Sequence, residues 1–140
     1  MKATVLDASA LLAMFFGEPG AEMMRDLFQR AAEADRPLLV TAVNWAEVLY
    51  LLVRRQGQKG WDVARHFERT MPLHVAPLDL ELAELAAELK ATRKLALADA
   101  CAAALAKQKK AELVTGDQEF KVLEKEIKIA WLPKAPETRR

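Results

Sequence analysis

The opening stretch Met1-Lys2-Ala3-Thr4-Val5-Leu6-Asp7-Ala8-Ser9-Ala10-Leu11-Leu12-Ala13-Met14-Phe15-Phe16 decides the fold. Residues 1–6 carry β-branched Thr4 and Val5 and read as a short strand that stops at Asp7. Asp7 or Ser9 then caps a helix over residues 10–16, and Gly17-Glu18-Pro19-Gly20 turns the chain. The same order repeats downstream. An amphipathic helix over residues 21–34 places Met24, Leu27, Phe28 and Ala31 on one face. Pro37 leads into a strand at 38–40, and Thr41 caps a helix that runs to about Gln56 and stops at Gly57. A helix over 61–70 precedes a short strand around His74 and Val75, between Pro72 and Pro77. Leu78, Leu82, Leu85 and Leu89 mark one face of a long helix. Asp99 opens an Ala-rich helix that ends near Lys109, followed by a strand at 112–114, a short helix at 118–123 and a last strand at 127–132. Alternating strands and helices predict an α/β fold. The expected form is a three-layer α/β/α sandwich around a central, mostly parallel five-stranded sheet. One domain over 1–132 and a loose tail over 133–140 account for the chain.

Composition narrows the class. The chain has 140 residues, enough to bury one substantial core, and 52% of them are hydrophobic. The apolar run 8–16 is too short to span a bilayer, and no signal-peptide cleavage pattern follows it. A cytoplasmic protein without a membrane partner is expected. Cys101 is the single cysteine, which excludes a disulfide framework and a thiolate zinc site. His66 and His74 stand apart, which argues against a histidine metal site.

Four acidic residues each close or interrupt a short apolar run. Asp7 ends Thr4-Val5-Leu6, and Glu47 sits within Val43-Asn44-Trp45-Ala46-Glu47-Val48. Asp99 lies in Leu97-Ala98-Asp99-Ala100, and Asp117 follows Val114-Thr115-Gly116. A carboxylate in apolar surroundings is costly unless something compensates it. No regular Lys or Arg partner accompanies these four, so a shared cation is the economical explanation. Oxygen-only donors favour Mg²⁺ or Mn²⁺. In a parallel sheet, ligands bind beyond the carboxyl ends of the strands, where Asp7 and Asp117 fall. Glu47 and Asp99, in early turns of their helices, can lean over the same edge.

Each acid also has a purely structural reading. Asp7 suits a helix cap, Glu47 a capping box begun by Asn44, Asp99 a helix N-terminus, and Asp117 a turn. All four must hold at once for the metal to be superfluous. Net charge is +1, yet with the acids gathered at one site the remaining surface is basic. Arg54, Arg55, Lys90, Arg93 and Lys94 are candidates for phosphate contacts at its rim. The alternative is that they solvate helix ends.

Taken together, Val5-Leu6-Asp7-Ala8-Ser9-Ala10, Asn44-Trp45-Ala46-Glu47-Val48, Leu97-Ala98-Asp99-Ala100 and Thr115-Gly116-Asp117-Gln118-Glu119-Phe120 resemble the PIN-domain nucleases. The VapC-type ribonuclease toxins of prokaryotic toxin–antitoxin pairs are the nearest group within them. The resemblance runs from Thr4 to about Leu132. It implies that Asp7, Glu47, Asp99 and Asp117 bind metal and act in catalysis, with Ser9 and Thr115 as supporting hydroxyls. It implies RNA as substrate, Mg²⁺ or Mn²⁺ as cofactor, a homodimer, and a protein antitoxin as inhibitor. The sequence departs from many relatives at Lys94-Leu95-Ala96, where a Gly and a Ser commonly precede the third acid. In-line attack of water on phosphorus, leaving 5′-phosphate and 3′-hydroxyl ends, is the reaction expected. Two rivals remain. A phosphatase would want Asp-x-Asp after the first strand, where this chain has Asp7-Ala8-Ser9, and a phospho-receiver would want a late Lys after a strand. A degenerate nuclease fold that only binds RNA or protein would not need an intact acid set.

Overall fold

The computed structural model describes residues 2–134. Its elements run β1 (Thr4–Leu6), α1 (Ala8–Phe15), α2 (Ala21–Ala34), β2 (Leu38–Thr41), α3 (Ala42–Gln56), α4 (Gln58–Thr70), β3 (Leu73–Ala76), α5 (Leu80–Arg93), α6 (Leu97–Lys109), β4 (Glu112–Thr115), the 3₁₀ helix Gln118–Leu123, and β5 (Ile129–Trp131). The five strands form one sheet in the order β3-β2-β1-β4-β5. All four pairings are parallel, so the sheet is wholly rather than mostly parallel.

Strand alternation divides the core into two. Val5, Leu39, Leu113 and Ile129 point to one face, beneath α5, α6 and the 3₁₀ helix. Leu6, Val40, Val114 and Ala130 point to the other, beneath α1 to α4. Right-handed crossovers require this split, because the sheet grows from β1 towards β3 and then reverses to β4 and β5. The reversal places a topological switch point between β1 and β4. Ligands bind at such a point, outside the carboxyl ends of the strands.

The helices follow their local chemistry. Asp7 caps α1 by accepting the Ala10 N–H, so the helix begins at Ala8 rather than at residue 10. Gly57, at φ +62°, ends α3 and admits α4 at once, which starts at Gln58 rather than Trp61. Gly60 lets these two helices close up, since a Cβ there would stand 2.3 Å from the Leu52 carbonyl oxygen. Asp79 caps α5 and leaves Leu78 outside it and 43% exposed, so only the later leucines of that stripe belong to the helix. The Ala run of α6, with Cys101, is buried from Ala100 to Ala106 against the sheet and α5. Asp99 is therefore its first-turn acid rather than its first residue. Strand β5 is shorter than 127–132 because the Ile127 N–H bonds back to Leu123 and closes a turn. Of the tail expected at 133–140, residues 135–140 lie outside those described. No helix among the described residues is long and apolar enough to cross a membrane.

Candidate metal centre

Asp7 leaves β1 at the switch point and is only 2% exposed. One carboxylate oxygen accepts the Ser9 hydroxyl at 2.7 Å and the Ala10 N–H at 3.0 Å. The other accepts the Thr115 hydroxyl, from the end of β4, at 2.5 Å. Both hydroxyls also accept backbone donors: Gly116 N–H reaches Ser9 Oγ and Asp117 N–H reaches Thr115 Oγ1, each at 3.0 Å. The hydroxyl hydrogens are thus directed at Asp7, and the 3.3 Å approach of the two hydroxyl oxygens is a contact within that arrangement. Burial pushes the Asp7 carboxyl up to about 6, the bonds from Thr115, Ser9 and Ala10 pull against that, and the charge of Asp117 adds to it.

A cleft of about 350 Å³ brings the acids together: Asp7, Glu47, Asp99 and Asp117 all line it. Glu119 joins them as a fifth. Carboxylate oxygens of Asp99, Asp117 and Glu119 lie within 4.8 Å of one another. The side chain of Asp117 caps the 3₁₀ helix by accepting the Glu119 N–H at 3.0 Å, and this turn brings Glu119 back to the cleft. Glu119 stood in the Asp117-Gln118-Glu119 motif, but its proximity depends on that tight turn and not on any helical or strand period. Half-buried Asp99 is pushed up to about 7, first by burial and then by the charges of Asp117, Asp7, Glu119 and Glu47. Among the described residues, the ion pairs fall on Glu126 and Glu112, and none reaches these five acids.

The basic candidates separate into two sets. Arg54 and Arg55 line a groove that adjoins the cleft through Ser9 and Leu12. Arg55 stacks 4.1 Å above the Phe16 ring, and Arg54 donates to the Tyr50 hydroxyl at 3.3 Å. Lys90 donates to the Leu95 carbonyl at 3.0 Å, and Lys94 is the left-handed residue ending α5. Arg93 forms a two-pronged pair with Glu126, at 2.7 and 2.8 Å, and Glu126 also holds Lys107. Lys107 lies in the last turn of α6, whereas Asp99 lies in the first. Arg93 is therefore bound to a neighbour of the helix end remote from the acids.

The family model of the PIN domain matches residues 4–126. The chain belongs to the PIN-domain family. No curated protein matches this PIN domain. Its fold is similar to that of VapBC2 from Rickettsia felis, bound to a DNA fragment of its promoter, with a TM-score of 0.75 at 13% identity over 94% of this chain and 99% of the other. A toxin–antitoxin complex from Klebsiella pneumoniae aligns at 0.67 and 21%, over 95% and 100%. VapC20 of Mycobacterium tuberculosis, described as a sarcin-ricin loop cleaving toxin, aligns at 0.68 and 18%, over 89% and 96%.

Proposed function

We propose that this PIN domain is a metal-dependent ribonuclease, the toxin of a toxin–antitoxin pair. The observation that carries this reading is the convergence of five carboxylates at the switch point without a basic ion-pair partner among the described residues. Such a donor set fits a hard divalent cation. It offers only oxygens, it is partly withdrawn from water, and its members raise one another's proton affinity, which a cation would relieve. Mg²⁺ or Mn²⁺ would be held by Asp7 and Asp99 directly, with Glu47, Asp117 and Glu119 completing the shell or orienting water. A cation there supplies charge stabilisation for a pentavalent phosphorus and a more acidic water.

The chain's own residues do the rest. Ser9, Ala10 and Thr115 fix the Asp7 carboxylate in one rotamer; Oδ1 already accepts two bonds and Oδ2 one, so the acceptor position left for a cation is on Oδ2. Arg54 and Arg55, in the adjoining groove, suit phosphates flanking the cut. RNA as substrate is supported by family membership and by the likeness to VapC20, a sarcin-ricin loop cleaving toxin, and a protein antitoxin by the complexes the fold resembles. A cytoplasmic homodimer completes the reading; a strict monomer in light scattering at micromolar concentration would remove that part.

The deciding experiment incubates the purified chain with RNA in Mn²⁺, in Mg²⁺ and in chelator. Cleavage that needs the cation and disappears in Asp7→Asn supports the reading. Cation binding without cleavage of any RNA would favour a binding module, and release of phosphate from small esters would favour a phosphatase.

A further inference from the structure

We infer that Asn44 is a positioning residue that sets the spacing of the elements carrying Asp7, Glu47 and Asp99; the inference rests on the metal reading above. Asn44 lies in the first turn of α3 and is 1% exposed. Its Oδ1 accepts the Ala8 N–H at 3.1 Å, from the residue directly after Asp7. Its Nδ2 donates to the Ala98 carbonyl at 3.1 Å, from the residue directly before Asp99. The same Nδ2 donates to Thr41 Oγ1 at 2.7 Å, and the Asn44 backbone N–H reaches that oxygen at 2.9 Å, which locks the amide to its own helix. Glu47 follows one turn later on α3. One side chain thus bonds the β1–α1 junction to the start of α6, across 36 and 54 residues of sequence, from the helix that carries Glu47.

The chemistry requires an amide of this length. Two acceptors, Ala98 O and Thr41 Oγ1, face the NH₂, and one donor, Ala8 N–H, faces the carbonyl. Turning the amide over would set oxygen against oxygen at Ala98. Aspartate keeps the shape and the bond from Ala8 but loses both donors. Serine offers one hydroxyl hydrogen in place of two. The bonds also oppose the electrostatics, since Asp7 and Glu47 each repel Asp99 across the cleft. Without the amide, that repulsion acts unopposed on the first turn of α6, which carries Asp99, while the rest of the helix stays packed. A cation would then have to draw the acids back together before binding.

The test is Mn²⁺ binding by titration calorimetry on the full chain, well below the melting temperature. Asn44→Ser and Asn44→Ala are compared with the unmutated chain and with Leu52→Val. Leu52 is buried on the same helix two turns later and lines neither the cleft nor its bonds. Partners that orient metal ligands typically contribute 10–100-fold to affinity, so both Asn44 variants should bind Mn²⁺ at least about tenfold more weakly. Leu52→Val should bind as the unmutated chain does, whatever its melting temperature. Both variants remove the amide without adding charge to the cleft that Asn44 lines, and either carries the comparison if the other does not fold. Asn44 variants within twofold of the unmutated Mn²⁺ affinity overturn the inference and leave the metal reading standing. An unmutated chain that takes up no Mn²⁺ overturns the metal reading first, and this inference with it.

Discussion

Glu126 and Asp99 sit near opposite ends of one helix and have opposite chemistry. Glu126 lies between Arg93 and Lys107, and the hydrogen bond from Arg93 holds its carboxyl down at about 2. Asp99 has no basic ion-pair partner among the described residues, and its burial first, then four acidic neighbours, lift it to about 7. The Glu126 cluster is an ordinary surface arrangement in which charges answer one another, worth little to stability. The Asp99 cleft withholds that answer. A fold that pairs its acids at one end and crowds them at the other concentrates perturbed carboxylates there, which is the contrast that the proposed cation site rests on.

The sharpest way to break this comparison is to neutralise an acid on each side. Asp7→Asn or Asp99→Asn should lower RNA cleavage by more than about a hundredfold, since even partners that only orient metal ligands contribute 10–100-fold. The fold should stay intact by circular dichroism. Without metal and at pH 8, Asp99→Asn should melt higher than the unmutated chain, because a repelling charge has gone. Glu126→Gln should leave cleavage unchanged. Cleavage that persists in Asp7→Asn with an unaltered spectrum would refute the assigned site.

A pH series sharpens the same contrast. Asp7 and Asp99 have folded values of about 6 and 7, above the ordinary 3.8, so the folded state holds their protons more tightly than the unfolded one. The stability they contribute is complete below about pH 4 and is lost as pH rises through 6 to 7. Glu126 runs the other way: its contribution is present above about 4.5 and disappears as pH falls through 2. Cation binding needs the cleft deprotonated. Stabilisation by Mn²⁺ should therefore be small at pH 5 and grow to pH 8, reaching about 2.7 kcal/mol at a hundred times Kd. That is a rise of several degrees in melting temperature for a domain of this size. A Mn²⁺ effect that is flat between pH 5 and 8, or that survives in Asp99→Asn, would mean that the ion binds elsewhere.

Glu119 gives a smaller test within the cleft. Its oxygens stand beside those of Asp99 and Asp117, so Glu119→Gln should weaken Mn²⁺ by roughly tenfold, at the low end of the range for groups that support a metal site. Calorimetry that finds Glu119→Gln equal to Glu126→Gln would remove Glu119 from the centre.

Glu119 also marks where the sequence stops being legible. The β–α order, the caps at Thr41 and Asp7, and the helix over 21–34 follow from local patterns, and the structure has them. Asp7, Glu47, Asp99 and Asp117 were visible because each interrupts an apolar run, and an apolar run that ends at a strand tip has few places to go. Glu119 is an exposed acid in a polar stretch, and only the 3₁₀ turn capped by Asp117 brings it round. Asn44 read locally as a cap, because its partners at Ala8 and Ala98 are remote in sequence. Arg93 looked like its neighbours Lys90 and Lys94, and nothing in the local run announced Glu126. Long-range polar pairing carries no periodicity, so it is the part that sequence patterns miss.

The basic residues supply the last and smallest contrast. Arg54 and Arg55 border the groove that opens into the cleft, their partners are a tyrosine hydroxyl and a phenylalanine ring, and although Glu18 lines the same groove no ion pair reaches either among the described residues. Arg93 is cancelled by Glu126. Reversing a charge that meets a phosphate weakens binding to all RNA sequences and lowers the salt slope by about one. Arg54→Glu should thus weaken binding of a short single-stranded RNA to the non-cleaving Asp7→Asn protein several-fold at 50 mM salt, with the deficit shrinking as salt rises. Arg93→Glu should leave RNA affinity within about twofold and act instead on stability, by setting a new acid against Glu126. Fluorescence anisotropy across a salt series checks both. Equal losses from the two substitutions would show that the RNA follows α5 as well as α3, and the division between a paired end and an unpaired end would then not govern where RNA binds.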